Sequence, residues 1–120
     1  MNKWMGVGRL AKDPELKYTS GDKPVAVCTF SVATNRDYKD KDGNYPADFH
    51  RCVAWGKTAE FVTEYLGKGR LVSIEAEVQN RSFEGEDGKM VYMTEMRVDK
   101  IKSLERPKED TKAVDNPFEE

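Results

Sequence analysis

The sequence is short of the residues that most often carry catalysis. Its 120 residues include one histidine and two cysteines. His50 has no recognisable serine or cysteine nucleophile beside it, and the carboxylates are scattered over polar positions, so no acid-base or covalent constellation can be assembled. We therefore expect a protein that is not an enzyme, since an enzyme working through His50 would lack these partners.

Long apolar runs are also absent. No run approaches the roughly 18 residues of a membrane-spanning helix. The N-terminal stretch MNKW leads directly into a glycine-punctuated strand pattern instead of a secretory signal. We expect no contact with a membrane and a cytoplasmic location.

The two cysteines, Cys28 and Cys52, lie inside apolar strand-like runs, where a buried free thiol is the usual state. A disulfide between them is an alternative that an intracellular location disfavours. A zinc site would join both thiols to His50, which gives three ligands at irregular spacing where structural zinc takes four. The sequence therefore predicts neither a metal nor another cofactor.

A strong charge imbalance is missing from the body of the chain and present only near its end. From Glu105 to Glu120 six acidic residues stand against three basic ones, which leaves 17 basic and 16 acidic residues in residues 1–104. A nearly neutral body still binds phosphate if its bases gather on one side. We interpret residues 1–104 as one domain and residues 105–120, which lack periodicity, as a short acidic flexible tail.

Five stretches have the alternating or apolar pattern of β-strands, and Gly21, Gly43 and Gly88 mark turns between them. The predicted strands are residues 3–10, 25–36, 47–55, 71–83 and 91–104. The Asp-Gly pairs at two of these turns are hairpin signals, so we expect an antiparallel sheet.

One helix is predicted between the third and fourth strands. Ala59, Val62, Tyr65 and Leu66 recur at helical spacing, and Gly67 is placed to supply a left-handed stop. This order of elements predicts an all-β oligonucleotide/oligosaccharide-binding (OB) fold, a five-stranded barrel with one α-helix between strands 3 and 4.

The stretch ADFHRCVAW, residues 47–55, places rings and a cation on one face of a strand. Side chains alternate along a strand, so Phe49, Arg51, Val53 and Trp55 share a face. A core would not accommodate the arginine, so we expect this face to be exposed.

A second strand repeats the pattern. Its even positions from residue 72 to residue 78 are apolar, so the continued register sends Arg81 and Phe83 outward together unless a bulge intervenes. Arg36 and Tyr38 likewise share a face at the end of an earlier strand.

Exposed rings interleaved with cations are what a binder of single-stranded nucleic acid needs, because unpaired bases stack on rings while cations contact phosphates. The candidate stacking rings are Tyr38, Phe49, Trp55 and Phe83. The candidate phosphate contacts are Lys3, Arg36, Arg51, Lys57, Lys68 and Arg81, although each alone could be a solvated surface charge. His50 is adjacent to Phe49 in the predicted strand, so its side chain lies on the opposite face. We expect a structural role or a subunit contact for it.

Four segments of residues 1–104 resemble the bacterial-type single-stranded DNA-binding (SSB) family, including its phage and plasmid members. They are GRLAKDPELKYT, VAVCTFSVATNRDY, DFHRCVAWGKTAEFVTEYLGKG and VQNRSFEGEDGKMVYMTEMRV. The resemblance implies a homotetramer of OB folds that wraps single-stranded DNA in replication, recombination and repair. It implies stacking on the four candidate rings, phosphate contacts at all the candidate bases except Arg36, and a subunit interface near His50.

Two features depart from that family. Its tails end in an acidic run closed by Pro-Phe, and the resemblance implies that Asp115, Pro117 and Phe118 bind replication and repair proteins. Here two glutamates follow Phe118 and displace the terminal carboxylate, which puts that docking in question. Gly6 stands where the family has a bulky apolar residue, and we expect its missing side chain to weaken a strand or an interface.

The residues themselves leave two other functions open. An OB module that prefers RNA would show the same rings and cations, because the 2′-hydroxyl is read by local contacts. A protein-interaction module of the replication machinery could use the same aromatic patch as a binding hot spot.

Overall fold

The computed structural model describes residues 1–105. The predicted tail beyond Glu105, with Asp115, Pro117 and Phe118, lies outside the described residues. The elements are β1 (Trp4–Leu10), β2 (Glu15–Tyr18), β3 (Ala26–Asn35), β4 (Ala47–Trp55), α1 (Gly56–Tyr65), β5 (Leu71–Glu84) and β6 (Met90–Ser103).

The strands form one sheet in the order β1-β5-β6-β4-β3-β2. β1 also pairs with β3, at Arg9 and Leu10. Strands β1, β5, β6, β4 and β3 therefore form a closed ring of pairings, and β2 pairs with β3 outside that ring. The all-β, OB-like fold with one helix between the third and fourth predicted strands is confirmed.

The sequence missed one strand and one pairing direction. β2 has only four residues, too few for its alternation of polar and apolar side chains to stand out, and β3 supplies its antiparallel partner from Thr29 to Ala26. β4 and β6 pair in parallel, with Cys52 opposite Met96 and Val53 opposite Arg97, so the expectation of a purely antiparallel sheet was wrong there. That pairing joins distant parts of the chain, and no local turn signal announces it.

The predicted alternation in β5 is confirmed, since Val72, Ile74 and Ala76 are all buried. Cys28 and Cys52 are also in the core, as free thiols. Burial raises the pKa of Cys52 to about 12 and also raises the pKa of Cys28. Among residues 1–105 no three His, Cys, Asp or Glu side chains are grouped so that they could hold a metal ion.

Helix α1 ends differently from the prediction. Leu66 is extended, with φ −115° and ψ 129°, and its side chain is buried in the core. The chain therefore leaves the helix before Gly67, and the left-handed glycine is Gly69, with φ 89°. The left-handed stop predicted at Gly67 was wrong because burial of Leu66 ends the helix first. No helix within residues 1–105 has the length and apolar character of a membrane span.

The space left by Gly6 is filled by its neighbour on the same face of β1. A Cβ on residue 6 would lie 2.6 Å from Cη2 of Trp4, so the indole ring covers the glycine. β1 continues unbroken through Gly6, which pairs with Ile74. The Trp4 ring thus occupies the space of the missing side chain, and the expected weakening of a strand or an interface stays a prediction.

Glu105 is held against the folded part of the chain. Both of its carboxylate oxygens accept hydrogen bonds from Nη1 of Arg9, at 2.9 and 3.1 Å, and Oε1 also accepts one from the backbone N–H of Leu71. These contacts lower the pKa of the Glu105 carboxyl group. The last described residue is therefore tied to β1 and β5.

Candidate nucleic-acid interface

Strand β4 divides its side chains between the core and one exposed face. Cys52 and Ala54 point inward and are fully buried. Of the alternate positions, Phe49 is 65% exposed and Trp55 is 43% exposed, whereas Val53 is buried. The arginine between the two rings, Arg51, is also exposed, so the predicted exposure of this face is confirmed at Phe49, Arg51 and Trp55 and is wrong at Val53.

Strand β5 contributes a second ring and a second cation to the same surface. Arg81 is exposed and Phe83 is 43% exposed, as the continued register predicted. The one irregularity of the β5–β6 pairing lies earlier, between Glu75 and Ala76, so it does not flip them.

β6 lies between β4 and β5 in the sheet and brings their outer faces together. We call this surface the aromatic face. It is formed by Phe49, Arg51, Trp55, Arg81 and Phe83.

A buried acid stands between the two arginines of the aromatic face. Glu95 projects from β6, and its side chain is only 6% exposed. Its Oε2 accepts hydrogen bonds from Nε of Arg51 at 2.8 Å and from Nη1 of Arg81 at 3.3 Å. The two guanidinium groups are thus joined across three strands.

The hairpin loop after β3 carries a separate ring. Tyr38 is 58% exposed, and its hydroxyl accepts a 2.7 Å hydrogen bond from Nη1 of Arg36. Arg36 also donates to both oxygens of Asp48, at 2.8 and 3.0 Å, which raises the arginine's pKa and lowers that of the Asp48 carboxyl. Asp48 and Phe49 are adjacent in β4, so their side chains point to opposite faces of the strand. Tyr38 is therefore linked to the ion pair of Arg36 with Asp48 and not to Phe49.

The predicted lysines lie at three places around the sheet. Lys3 forms an ion pair with Glu75 at 2.9 Å and a longer one with Asp99 at 3.7 Å, and its pKa is raised mainly by the hydrogen bond to Glu75. Lys57 is in the first turn of α1, and Lys68 follows the helix. Within residues 1–105 neither of these two lysines forms an ion pair.

His50 is half-buried beside β1. Its Nε2 and Oγ1 of Thr34 share a hydrogen bond of 2.9 Å. Its ring centroid lies 4.9 Å from that of Trp4. His50 therefore has a structural role within the protomer, and the predicted subunit contact stays a prediction.

The sequence did not identify two neighbours of the aromatic face. One is Glu95, whose only signal was an acid between Thr94 and Met96 in a predicted strand. The other is Lys12, which lines a groove of about 290 Å³ together with Thr29, Ser31 and Arg51. Lys12 lies in the loop after β1, where no periodic pattern applies.

An OB-like sheet that exposes rings beside guanidinium groups is the arrangement of proteins that bind single-stranded nucleic acid. The sequence profile of the single-strand binding protein family matches residues 1–104. The chain belongs to that family.

Individual relatives agree with this assignment. The chain is 49% identical over 105 residues to single-stranded DNA-binding protein 3 of Listeria innocua, an alignment that covers 88% of this chain and 64% of the relative. It is 47% identical to the single-stranded DNA-binding proteins of Bacillus cereus and Clostridium tetani over the same share of this chain, covering 61% and 71% of those relatives. The chain thus spans less than two thirds of the length of two of these three relatives.

Proposed function

We propose that this protein binds single-stranded DNA without sequence preference, is not an enzyme, and protects exposed strands during replication, recombination and repair at cytoplasmic sites. The observation that carries the proposal is the aromatic face, where three exposed rings alternate with two arginines. Membership of the single-strand binding protein family supports it, as do the names of the relatives.

The chemistry of the aromatic face suits an unpaired strand. Bases of a single strand can unstack and lie flat on Phe49, Trp55 and Phe83, each contact contributing about 1–3 kcal/mol. Arg51 and Arg81 are then within reach of the phosphates that join those bases. A duplex hides its base faces, so it can use the cations but not the rings.

The remaining predicted contacts extend the path of the strand around the protomer. Lys57 and Lys68 are available for phosphate, whereas Lys3 and Arg36 are already paired with acids that phosphate must displace. Tyr38 offers a further ring close to Arg36. We propose these five residues as secondary contacts that lengthen the site, with the aromatic face as its centre.

We also propose that the protein assembles with copies of itself, as a homotetramer. β1 pairs with β5 from Trp4 to Arg9 but with β3 only at Arg9 and Leu10, so residues 4–8 have one unpaired edge. Met5 and Val7 are exposed on the same strand. An open strand edge with aliphatic side chains favours pairing with another polypeptide. His50 lies next to this strand through its contact with Trp4.

Titration of oligo-dT, a duplex of equal length and oligo-rU, followed by intrinsic tryptophan fluorescence at several salt concentrations, tests the proposal. We expect tight binding and quenching of Trp55 with oligo-dT, weak binding of the duplex, and a log-log salt slope near −3.5 for about five phosphate contacts. Equal binding of rU and dT would favour an RNA module. A salt-independent or absent interaction would favour a protein-binding role, and molar mass measured alongside tests the tetramer.

A further inference from the structure

Glu95 is a buried acid on a surface that we propose binds the negatively charged DNA backbone. It is the one buried charged or polar residue of residues 1–105, and it lies at the centre of the aromatic face. A carboxylate there opposes phosphate binding by simple repulsion. Its burial also has a cost, which is offset only by good partners.

The partners of Glu95 are the two arginines that the proposed function assigns to phosphate. β6 lies between β4 and β5, so one carboxylate oxygen reaches Arg51 on one side and Arg81 on the other. Arg51 uses Nε for this contact and Arg81 uses Nη1, and within residues 1–105 neither guanidinium makes another hydrogen bond to protein. Each therefore keeps N–H donors that are not used within residues 1–105.

We propose that Glu95 is a positioning residue that holds Arg51 and Arg81 as a fixed pair for one phosphate of single-stranded DNA. Two guanidinium groups and one carboxylate leave one net positive charge, which matches one phosphodiester. Without the carboxylate, the two arginines repel each other and move freely in solvent. The strand must then order both side chains when it binds. This inference rests on the proposed function.

Glu95→Gln tests the inference, with Glu77→Gln as its matched control. Glu77 is a glutamate on the outer face of β5, and its side chain accepts a hydrogen bond from Gln79. Both changes remove one negative charge from side chains of neighbouring strands in the same sheet. We expect Glu95→Gln to weaken oligo-dT binding about tenfold, because two long side chains must be ordered again, and Glu77→Gln to change it by less than about twofold. Binding that is equal or tighter in Glu95→Gln than in the wild type overturns the inference.

A second measurement separates positioning from loss of fold. Thermal unfolding identifies any variant that is no longer native. If Glu95→Gln does not fold, Arg51→Lys and Arg81→Lys replace it, singly and together. A shared anchor predicts that their effects on affinity are not additive, because either change already disrupts the pair. Additive effects overturn the inference.

The proposed function and this inference fail in different ways. If the wild type does not bind oligo-dT, the proposed function is wrong, and the inference falls with it. If the wild type binds and Glu95→Gln binds as well as Glu77→Gln, the proposed function stands and the positioning role is rejected.

Discussion

The aromatic face and the surface of β1 both expose apolar side chains, but their surroundings differ. On the aromatic face, planar rings stand beside guanidinium groups, and β4 is paired with β3 along its whole length. On β1, aliphatic Met5 and Val7 stand beside a backbone edge that is unpaired over residues 4–8. Exposed apolar area alone therefore does not identify a partner. The first surface suits unpaired bases, and the second suits another polypeptide chain.

Removing a ring from the aromatic face should have the largest effect. We expect Phe49→Ala and Trp55→Ala each to weaken oligo-dT binding by about 1–3 kcal/mol through the loss of one stacking platform. Fluorescence titration measures Phe49→Ala, and fluorescence anisotropy of a labelled oligomer measures Trp55→Ala, because that variant loses its own signal.

The control for these variants is Tyr65→Ala. Tyr65 is as exposed as Tyr38 but lies on α1, next to Phe61, and away from the aromatic face. Its removal should leave affinity unchanged. A loss equal to that of Trp55→Ala would show that exposed rings contribute wherever they lie, and the distinction between the surfaces would fail.

A charge introduced on β1 should disrupt subunit association and leave DNA affinity almost unchanged. Val7→Glu places a carboxylate at an exposed strand position, which the folded protomer tolerates but a dry subunit interface does not. We expect molar mass by light scattering to fall to that of the protomer, while thermal unfolding stays cooperative. Affinity for an oligomer short enough for one protomer should change little. An unchanged molar mass would exclude β1 from the interface.

Acid should weaken the contact of Arg9 with Glu105 at the end of β1. The pKa of Glu105 is lowered in the folded state, so the unfolded chain binds more protons as pH falls below the ordinary value of about 4.5, and stability drops through that window. Glu105→Gln should flatten the dependence of the melting temperature on pH between about pH 5 and 3. Glu86→Gln, which removes an exposed acid in the β5–β6 turn, is the control for the loss of one negative charge. Equal curves for Glu105→Gln and the wild type would contradict this account.

The smallest expected effect is the reaction of the two core cysteines, Cys28 and Cys52, with a thiol reagent. Burial raises the pKa of Cys52 to about 12, and burial also raises the pKa of Cys28. At pH 8 the folded protein should therefore react with a thiol reagent only as fast as it opens. Both thiols should react at once in denaturant. Fast labelling of the native state would show that the core is open to solvent.

Much of the aromatic face could be predicted from the alternation of side chains along the strands. The alternation around Arg51 and Arg81 correctly predicted that both arginines and their neighbouring rings are exposed. Period 2 is a local property of an extended chain, so it can be read without knowledge of the neighbouring strands. The Asp-Gly pairs, another local signal, identified the turns at Gly43 and Gly88, where φ is positive.

The features that the sequence missed depend on contacts between distant strands. β2 exists because β3 lies beside it, and Glu95 is buried because β6 runs between β4 and β5. The Trp4 ring that covers Gly6 also packs against His50 of β4. Leu66 ends α1 through burial, which outweighs the local preference for a glycine stop. None of these relations has a local signature in the sequence.

Photo-crosslinking of an oligo-dT that carries 5-iodouracil, followed by mass spectrometry of the linked peptides, tests most directly whether unpaired bases lie on the aromatic face. The account predicts crosslinks at Phe49, Trp55 and Phe83, and their loss when unlabelled oligo-dT competes. Crosslinks confined to rings elsewhere, such as Tyr18 or Tyr65, would contradict it.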